Sequence, residues 1–153
     1  MLPESANLLR VSIIILNWNG RDDTLACLDS LAALTYPNFQ AIVVDNGSTD
    51  GSVNLIKRKF PDIPLIETGT NLGFAEGNNV GIRAALETGA NYILLLNNDT
   101  IVAPDLLEAF AEAAAHNPNG GMFAAKIYYH AEPTRLWYAG GKWLQDKQCF
   151  VHV

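Results

Sequence analysis

The sequence predicts an α/β fold, in which a mainly parallel, twisted sheet carries helices on both faces. Short apolar segments rich in β-branched residues alternate with segments of helical period, and the connections between them are short. Two of the apolar segments, residues 11–16 and 92–96, lack the alternation of a half-exposed strand. Uninterrupted apolar strands are typical of a parallel sheet that is covered on both sides.

The first half of the chain contains two predicted strand and helix pairs. The strand at residues 11–16 precedes a helix with acidic residues 22–23 in its first turn, where the helix dipole favours negative charge. The strand at residues 41–44 precedes a helix with basic residues 57–59 in its last turn, where the dipole favours positive charge.

The second half of the chain repeats this alternation and then departs from it. Residues 132–153 are predicted to form aromatic strand fragments around a Gly-Gly turn, and we expect the chain to end before a natural boundary. Before them, the predicted elements are a strand at residues 63–67, a helix at 75–88, a strand at 92–96, a helix at 104–116 and a strand at 122–129.

The composition narrows the classes of protein to consider. A chain of 153 residues suits one domain with a sizeable core. Ten basic residues against 16 acidic ones give a net charge of −6, which disfavours binding to a nucleic-acid backbone. No apolar run reaches the roughly 18 residues of a membrane-spanning helix, so we expect a cytoplasmic protein, with peripheral association at the inner face of the membrane left open. Cys27 and Cys149 match no metal or redox spacing.

Four polar clusters follow four successive predicted strands, at residues 17–20, 45–50, 71–79 and 97–100. Because the carboxyl ends of parallel strands lie at one edge of a sheet, we expect the clusters to converge on one crevice. Open α/β folds bind their ligands at that edge. The alternative for each cluster is a turn, since connections in α/β folds are polar in any case.

The last cluster suggests a metal site. Asn97, Asn98 and Asp99 place hard oxygen ligands directly after a strand, and such ligands suit Mg²⁺ or Mn²⁺ carrying a phosphate. Asp99 or Thr100 could instead cap the helix that follows. Asp45 has the same two interpretations, since it could accept hydrogen bonds from a base or a sugar, or cap a helix.

Other side chains suggest contacts to a phosphate or a base. Gly73 lies just before a predicted helix, where a small residue lets a phosphate approach free N–H groups. Adjacent Asn78 and Asn79 are poor helix formers, so we expect at least one of them to bind a ligand or a loop carbonyl. Trp18 could stack on a base or pack beneath the first helix.

As an ordered set, these motifs resemble the inverting family-2 glycosyltransferases, which have the nucleotide-sugar-binding fold called GT-A, and within them the bacterial rhamnosyltransferase-like branch. Residues 1–9 have little pattern, so we expect them to form a loose lead-in. The resemblance implies a donor-binding domain at 10–130 and the start of an incomplete acceptor region at 131–153. The motifs are VSIIILNWNG at residues 11–20, VVDNGSTDGS at 43–52, NLGFAEGNNVG at 71–81 and LLLNNDT at 94–100.

The resemblance also implies roles for individual residues. The end of the first strand lines the nucleotide pocket, Asp45 bonds the base, and Asp99 binds a divalent cation, Mg²⁺ or Mn²⁺, that bridges the diphosphate. Since Asp99 is the only carboxylate in its motif, we expect the cation to bind weakly without the diphosphate. Together with the amide pair noted above, the expected donor-binding residues are Leu16, Asn17, Trp18, Asn19, Asp45, Asn71, Gly73, Asn78, Asn79, Asn97 and Asn98.

The activity implied by the resemblance is transfer of a sugar, with rhamnose as one option, from a nucleoside-diphosphate sugar to a hydroxyl with inversion. The acceptor would be a saccharide or a lipid-linked saccharide in the synthesis of cell-surface polysaccharide. The general base of the family is expected beyond Val153, so we expect this chain to bind donor and to be a poor catalyst. Two alternatives are a sugar-phosphate nucleotidyltransferase and a non-catalytic module that binds nucleotide sugars.

Overall fold

The structure is a computed structural model that describes residues 9–152, so residues 1–8 of the predicted lead-in lie outside it. The elements within that range are, in order, β1 (Val11–Asn17), α1 (Arg21–Leu31), β2 (Phe39–Asp45), α2 (Ser52–Lys59), β3 (Leu65–Glu67), α3 (Gly73–Glu87), β4 (Tyr92–Asn97), α4 (Leu106–His116), β5 (Ile127–Tyr129), β6 (Glu132–Tyr138), β7 (Gly141–Leu144) and β8 (Cys149–His152).

Strands β1 to β4 form a fully parallel sheet in the order β3-β2-β1-β4. β1 therefore lies between β2 and β4, and the chain changes direction across the sheet at this strand. Ligands of open parallel sheets bind at such a switch point, outside the carboxyl ends of the strands. In the register of β1, Asn17 lies beside Asp45 and Leu16 lies beside Asn97.

Helices cover both faces of this sheet, which confirms the predicted architecture. Alternate residues of a strand point to opposite faces. One face packs against α1 and α2, and the other packs against α3. The first buried cluster includes Ile13, Ile15 and Val43 with Leu28 and Ile56, and the second includes Ile14, Ile42 and Val44 with Ala85.

Two glycines let α3 lie close to the sheet. A Cβ at Gly77 would lie 2.6 Å from Leu16 Cδ1, and a Cβ at Gly81 would collide with Ile14 Cγ2. Residues four apart share one face of a helix, so both glycines point at the sheet. The group that approaches Gly77 most closely is therefore a side chain of β1.

The prediction that residues 92–96 form a strand covered on both faces is wrong for the described chain. β4 is the edge strand of the sheet, and Leu95 is 48% exposed. Helix α3 runs mainly over β1 and β2, so the α3 side of β4 is left partly open. The apolar run identified the strand correctly but did not show its position in the sheet.

The predicted strand at residues 122–129 is also shorter than expected. Only its last three residues form a strand, β5, which pairs antiparallel with β6 in a separate two-stranded sheet. β7 and β8 form another antiparallel pair, so the predicted strand fragments near the Gly-Gly turn are present. By its internal contacts the chain divides into one compact unit at residues 1–111 and another at 112–153. The expected boundary near residue 130 stays a prediction.

Candidate functional site

A cavity of about 380 Å³ opens at the carboxyl ends of the strands in the first compact unit. All four polar clusters predicted from the sequence contribute to its wall. The cavity lies on the α3 side of the sheet, between the end of β1, the start of α3 and the end of β4. Its lining residues are Leu16, Trp18, Asn46, Asn71, Gly73, Phe74, Asn78, Leu95, Leu96, Asn97 and Asn98.

The lining of this cavity is uncharged, amide-rich and aromatic. Five asparagines supply both donors and acceptors, while no residue of the described lining carries a formal charge. Trp18 is 57% exposed and Phe74 is 66% exposed, so two large rings stand at the cavity with open faces. Amides and exposed rings suit the polar edge and the flat face of a nucleobase or a sugar.

Asn17 lies beneath this cavity and connects three loops. Its side chain has no exposed surface. Its Nδ2 lies 2.7 Å from Asp45 Oδ2 and 2.9 Å from Ser52 Oγ, at the two ends of the β2–α2 connection. Its Oδ1 accepts hydrogen bonds from the Thr24 hydroxyl at 2.9 Å and from the Gly20 N–H at 3.2 Å. These bonds hold the start of α1 and the start of α2 against the end of β1.

Asn46 has a similar role for the start of α3. Its Nδ2 donates to Asn71 Oδ1 at 2.9 Å, and its Oδ1 accepts the N–H of Leu72 at 2.9 Å. Asn71 Oδ1 also accepts the N–H of Gly73 at 2.8 Å. Two N–H groups at this helix start are therefore already bonded within the protein, so a phosphate at α3 would have to use groups other than these.

Asp45, which the sequence analysis expects to bond the base, is held by hydrogen bonds within the protein. Asp45 is 2% exposed and does not line the cavity. Besides the bond from Asn17, its Oδ1 accepts the N–H of Ser48 at 2.9 Å. Strand alternation explains the difference, since Asp45 points to the α1–α2 face and the next residue, Asn46, lies at the cavity.

The two adjacent asparagines of α3 also differ in position. Asn78 is 5% exposed, lines the cavity and donates to the carbonyl of Phe74 at 2.9 Å. Asn79 is exposed and donates to Glu76 Oε2 at 3.2 Å, so it lies outside the cavity lining. Successive residues of a helix point about 100° apart, which separates the two side chains. Asn19 likewise lies outside this cavity, with its N–H bonded to Ser48 Oγ.

Asp99 is exposed in the turn that follows β4, directly after the lining residue Asn98. Within the described residues, no group of three or more His, Cys, Asp or Glu side chains could hold a metal ion. One carboxylate next to amide oxygens is a partial donor set. It fits a cation that takes its other ligands from water and from the phosphates of a substrate, as Mg²⁺ commonly does.

A second, more polar cavity of about 330 Å³ adjoins the start of α1. Asp50 borders it and accepts N–H groups from Arg21 and Ser52, the first residues of α1 and α2, both at 3.0 Å. Burial alone would raise the pKa of Asp50, but the hydrogen bonds from Ser52 and Arg21 outweigh it and lower the pKa. The carboxylate therefore has a structural role in capping two helices.

Four lining residues were not predicted from the sequence, namely Asn46, Phe74, Leu95 and Leu96. The period of two in β2 could have identified Asn46, because Asn46 shares its side with Val44, whereas Asp45 shares its side with Val43. Phe74 carried a signal too, because folding alone does not explain a large apolar residue in the exposed first turn of a helix.

Comparison with known proteins finds glycosyltransferases by family model and by sequence relatives. The model of the family described as "Glycosyl transferase family 2" matches residues 12–149. An uncharacterized glycosyltransferase of Haemophilus influenzae is 33% identical over 109 residues, which are 71% of this chain and 36% of that protein. An N-acetylglucosaminyl-diphospho-decaprenol L-rhamnosyltransferase of Mycobacterium tuberculosis is 28% identical over 65% of this chain and 35% of its own length. The chain thus spans about a third of the length of these two relatives.

A solved structure shares the fold. The mannosyltransferase PcManGT of Pyrobaculum calidifontis, in complex with GDP-Man and Mn²⁺, superimposes with a TM-score of 0.63 at 26% identity. The match covers 69% of this chain and 32% of that one. The order of strands and helices derived above is therefore that of the nucleotide-sugar-binding part of a GT-A protein. No helix among the described residues is long and apolar enough to cross a membrane.

Proposed function

The chain belongs to glycosyl transferase family 2, and we propose that it forms the donor-binding part of an enzyme that transfers a sugar from a nucleoside diphosphate to an acceptor hydroxyl. The observation that carries this proposal is the cavity at the carboxyl edge of β1 and β4, to which four separate loops contribute. Its size, its amides and its exposed rings suit a nucleoside and a sugar better than a charged small molecule.

In this proposal the two exposed rings bind the flat parts of the donor. Trp18 stacks on the base, and the amides of Asn46, Asn71 and Asn78 line the space for the base, ribose or sugar. Asp45 acts indirectly, by holding Asn17 and the β2–α2 connection beneath the cavity. The uncharged lining also implies that the two negative charges of a diphosphate are compensated from outside the cavity wall.

A divalent cation would supply that compensation. We propose that Asp99 holds the cation together with oxygens of the diphosphate, and that Mg²⁺ or Mn²⁺ serves. The cation makes the nucleoside diphosphate a better leaving group when it is bound. The Mn²⁺ in the complex of the mannosyltransferase supports the use of a divalent cation. In the same proposal Asn98, which lines the cavity next to Asp99, contacts a hydroxyl of the ribose or sugar.

We further propose that transfer inverts the anomeric carbon. A donor held by its nucleotide and its diphosphate in the cavity presents one face to an attacking hydroxyl, and a single displacement by that hydroxyl inverts the configuration. A carboxylate base must take the proton of the hydroxyl, and we place this base outside the 153 residues. The described residues then bind and orient the donor, and they keep one face of it covered.

The acceptor and the sugar are proposed by analogy. A relative named for transfer of L-rhamnose to a decaprenol-linked sugar supports a lipid-linked saccharide as acceptor and rhamnose as one option for the sugar. A lipid-linked acceptor would bring the reaction to the inner face of the membrane, where cell-surface polysaccharide begins. These finer assignments depend on the acceptor region of the whole protein.

Calorimetric titration of the 153-residue chain with GDP, UDP and dTDP tests the proposal. Each nucleotide is measured in Mn²⁺ and in EDTA. We expect at least one of them to bind, with an affinity at least about tenfold higher in Mn²⁺ than in EDTA. The variant Asp99→Ala should lose most of that gain, because it removes the sole carboxylate of its turn. Its matched control, Asp62→Ala, removes an exposed carboxylate near α2 and should keep the gain.

The outcomes separate the parts of the proposal. If no nucleoside diphosphate binds to the parent chain, the donor-binding assignment is wrong. If one binds equally well in Mn²⁺ and EDTA, the donor site stands and the metal assignment is wrong. If Asp99→Ala keeps the full gain, the cation is held by another group.

A further inference from the structure

The side chain of Asn98 is joined to the buried centre of the molecule by three consecutive hydrogen bonds. Asn98 Nδ2 lies 2.9 Å from Thr24 Oγ1, which lies 2.9 Å from Asn17 Oδ1, and Asn17 Nδ2 lies 2.7 Å from Asp45 Oδ2. Thr24 and Asn17 have no exposed surface, and Asp45 has almost none. Water therefore cannot replace these partners without a change in packing.

The direction of each bond in this series is set at Asp45. The carboxylate of Asp45 accepts the N–H of Ser48 and the NH₂ of Asn17, so Asn17 turns its oxygen towards Thr24. The Gly20 N–H bonded to that oxygen requires the same orientation. The single hydroxyl hydrogen of Thr24 is then donated to Asn17, and Thr24 can only accept from Asn98. Asn98 must present its NH₂ to Thr24, which leaves its carbonyl oxygen free for another partner.

The surroundings of Gly20 give independent evidence that the side chains of Asn98 and Asn17 are closely packed. A Cβ at Gly20 would collide with Asn98 Nδ2 and would lie 3.4 Å from Asn17 Oδ1. The φ of Gly20 is −112°, an angle that any residue adopts. A side chain at position 20 would therefore displace the Asn98 amide, and glycine leaves the space that this amide occupies.

We propose that Thr24 is a positioning residue of the donor site. Its hydroxyl orients the Asn98 amide so that the carbonyl oxygen of Asn98 faces the donor, and it fixes the turn that carries Asp99. An oxygen acceptor at that place suits a sugar or ribose hydroxyl, or a hard cation, whereas an NH₂ group cannot bind a cation. The inference rests on the proposed function, because the ligand is the nucleoside diphosphate with its cation.

The test compares three variants in the titrations in Mn²⁺ and EDTA. Thr24→Val keeps the shape of the side chain and removes the hydroxyl, whereas Thr24→Ser keeps the hydroxyl. Thr88→Val removes a hydroxyl that caps the far end of α3, beside the start of β1. We expect Thr24→Val to reduce the gain in affinity from Mn²⁺ roughly three- to tenfold. Thr24→Ser and Thr88→Val should keep the gain within about twofold of the parent.

A second measurement needs no ligand. The side-chain NH₂ signals of Asn98 in an ¹⁵N correlation spectrum are assigned by their loss in Asn98→Asp. In the parent the proton that Asn98 donates to Thr24 should exchange slowly with solvent, and it should exchange faster in Thr24→Val but not in Thr24→Ser. This comparison remains available if Thr24→Val is less stable than the parent, because Gly20→Ala displaces the same amide from the other side and should have the same effect.

Specific results would overturn the inference. Thr24→Val with the full gain from Mn²⁺, or with unchanged exchange of the Asn98 protons, would show that the hydroxyl does not position Asn98. A parent chain that binds nucleotide without any gain from Mn²⁺ would contradict the metal assignment of the proposed function, and with it the role of Thr24 towards Asp99. The exchange measurement would then still decide whether Thr24 orients the amide.

Discussion

Asp45 and Asn46 are neighbours in the chain, yet they stand on opposite sides of the sheet. Asp45 faces α2, where Asn17 and Ser48 bond its carboxylate, while Asn46 lies at the cavity and holds the loop before α3. Where two polar residues are adjacent at a strand end, the alternation of the strand decides which of them can contact a ligand. The motif in the sequence therefore identified the strand end, whereas the alternation of the strand brings Asn46 and not Asp45 to the cavity lining.

Asp50 allows a prediction about pH. Its carboxylate caps α1 and α2, and hydrogen bonds from Ser52 and Arg21 hold its pKa below the usual value of an aspartate despite partial burial. A depressed pKa means that the stabilisation is fully present above the unfolded pKa and is lost as the pH falls through the folded pKa. We expect Asp50→Ala to reduce the free energy of unfolding by about 1–2 kcal/mol at pH 7. The reduction should shrink as the pH falls from the ordinary titration range of an aspartate through the lowered pKa of the folded protein.

Urea unfolding followed by circular dichroism between pH 7 and pH 3 measures this dependence. Asp62→Ala, at an exposed position near the end of α2, is the control and should change the free energy by less than about 0.5 kcal/mol throughout. A difference between Asp50→Ala and the parent that stayed constant down to pH 3 would contradict the assignment, since the protonated side chain could no longer cap both helices.

At the scale of an element, α3 determines the shape of the cavity because it lies so close to the sheet. Our prediction at this scale is for Gly81→Ala. Alanine is more favourable than glycine in a helix interior by about 1 kcal/mol. The new Cβ would collide with Ile14 Cγ2 and lie 3.0 Å from Val44 Cγ2, both in buried strands. Overpacking of a closed core costs about 1–3 kcal/mol, so we expect a net loss of stability and a displaced helix.

Asn79→Ala provides the comparison within the same helix. Asn79 is exposed, so alanine adds helix propensity there without a steric cost, and the free energy of unfolding should rise by a few tenths of a kcal/mol or stay unchanged. Thermal and urea unfolding of the two variants measure the difference. Equal stability gains for both alanines would mean that α3 can move away from the sheet at little cost.

The elements themselves were predictable where local pattern and packing agree. Apolar runs identified β1, β2 and β4, and glycine and proline signals located the ends of α3 and α4 within a few residues. The edge position of β4 was not predictable, because an apolar run is the same for a central strand and for an edge strand. The segment at residues 122–126 was mistaken for a strand since its apolar residues find no pairing partner in the described chain.

At the scale of the whole molecule, the two compact units differ in how much core they contain. Every residue of both buried clusters belongs to the unit at residues 1–111. In the described part of residues 112–153, no apolar side chain is fully buried, and all three residues of β5 are exposed. Stability of a domain derives mainly from buried apolar area, so the first unit should carry most of it.

A pair of truncated chains tests this distribution. A chain that ends at Gly121 keeps all of α4, both clusters and every residue that lines the cavity. We expect its free energy of unfolding and its affinity for the nucleoside diphosphate to match those of the 153-residue chain within about 1 kcal/mol. A chain that ends at Ala103 loses Leu107, which is 1% exposed and belongs to the cluster beneath α1 and α2.

Removal of one buried leucine side chain costs about 2–5 kcal/mol. Removal of the whole of α4 leaves a larger gap in the core. The chain that ends at Ala103 should therefore lose a substantial part of its stability. Urea unfolding of both chains measures this, and titration with the nucleotide shows whether the cavity survives. If the chain that ends at Gly121 were as unstable as the shorter one, the core of the first unit would depend on residues 122–153. The sheet and its cavity could then not be treated as one self-supporting unit.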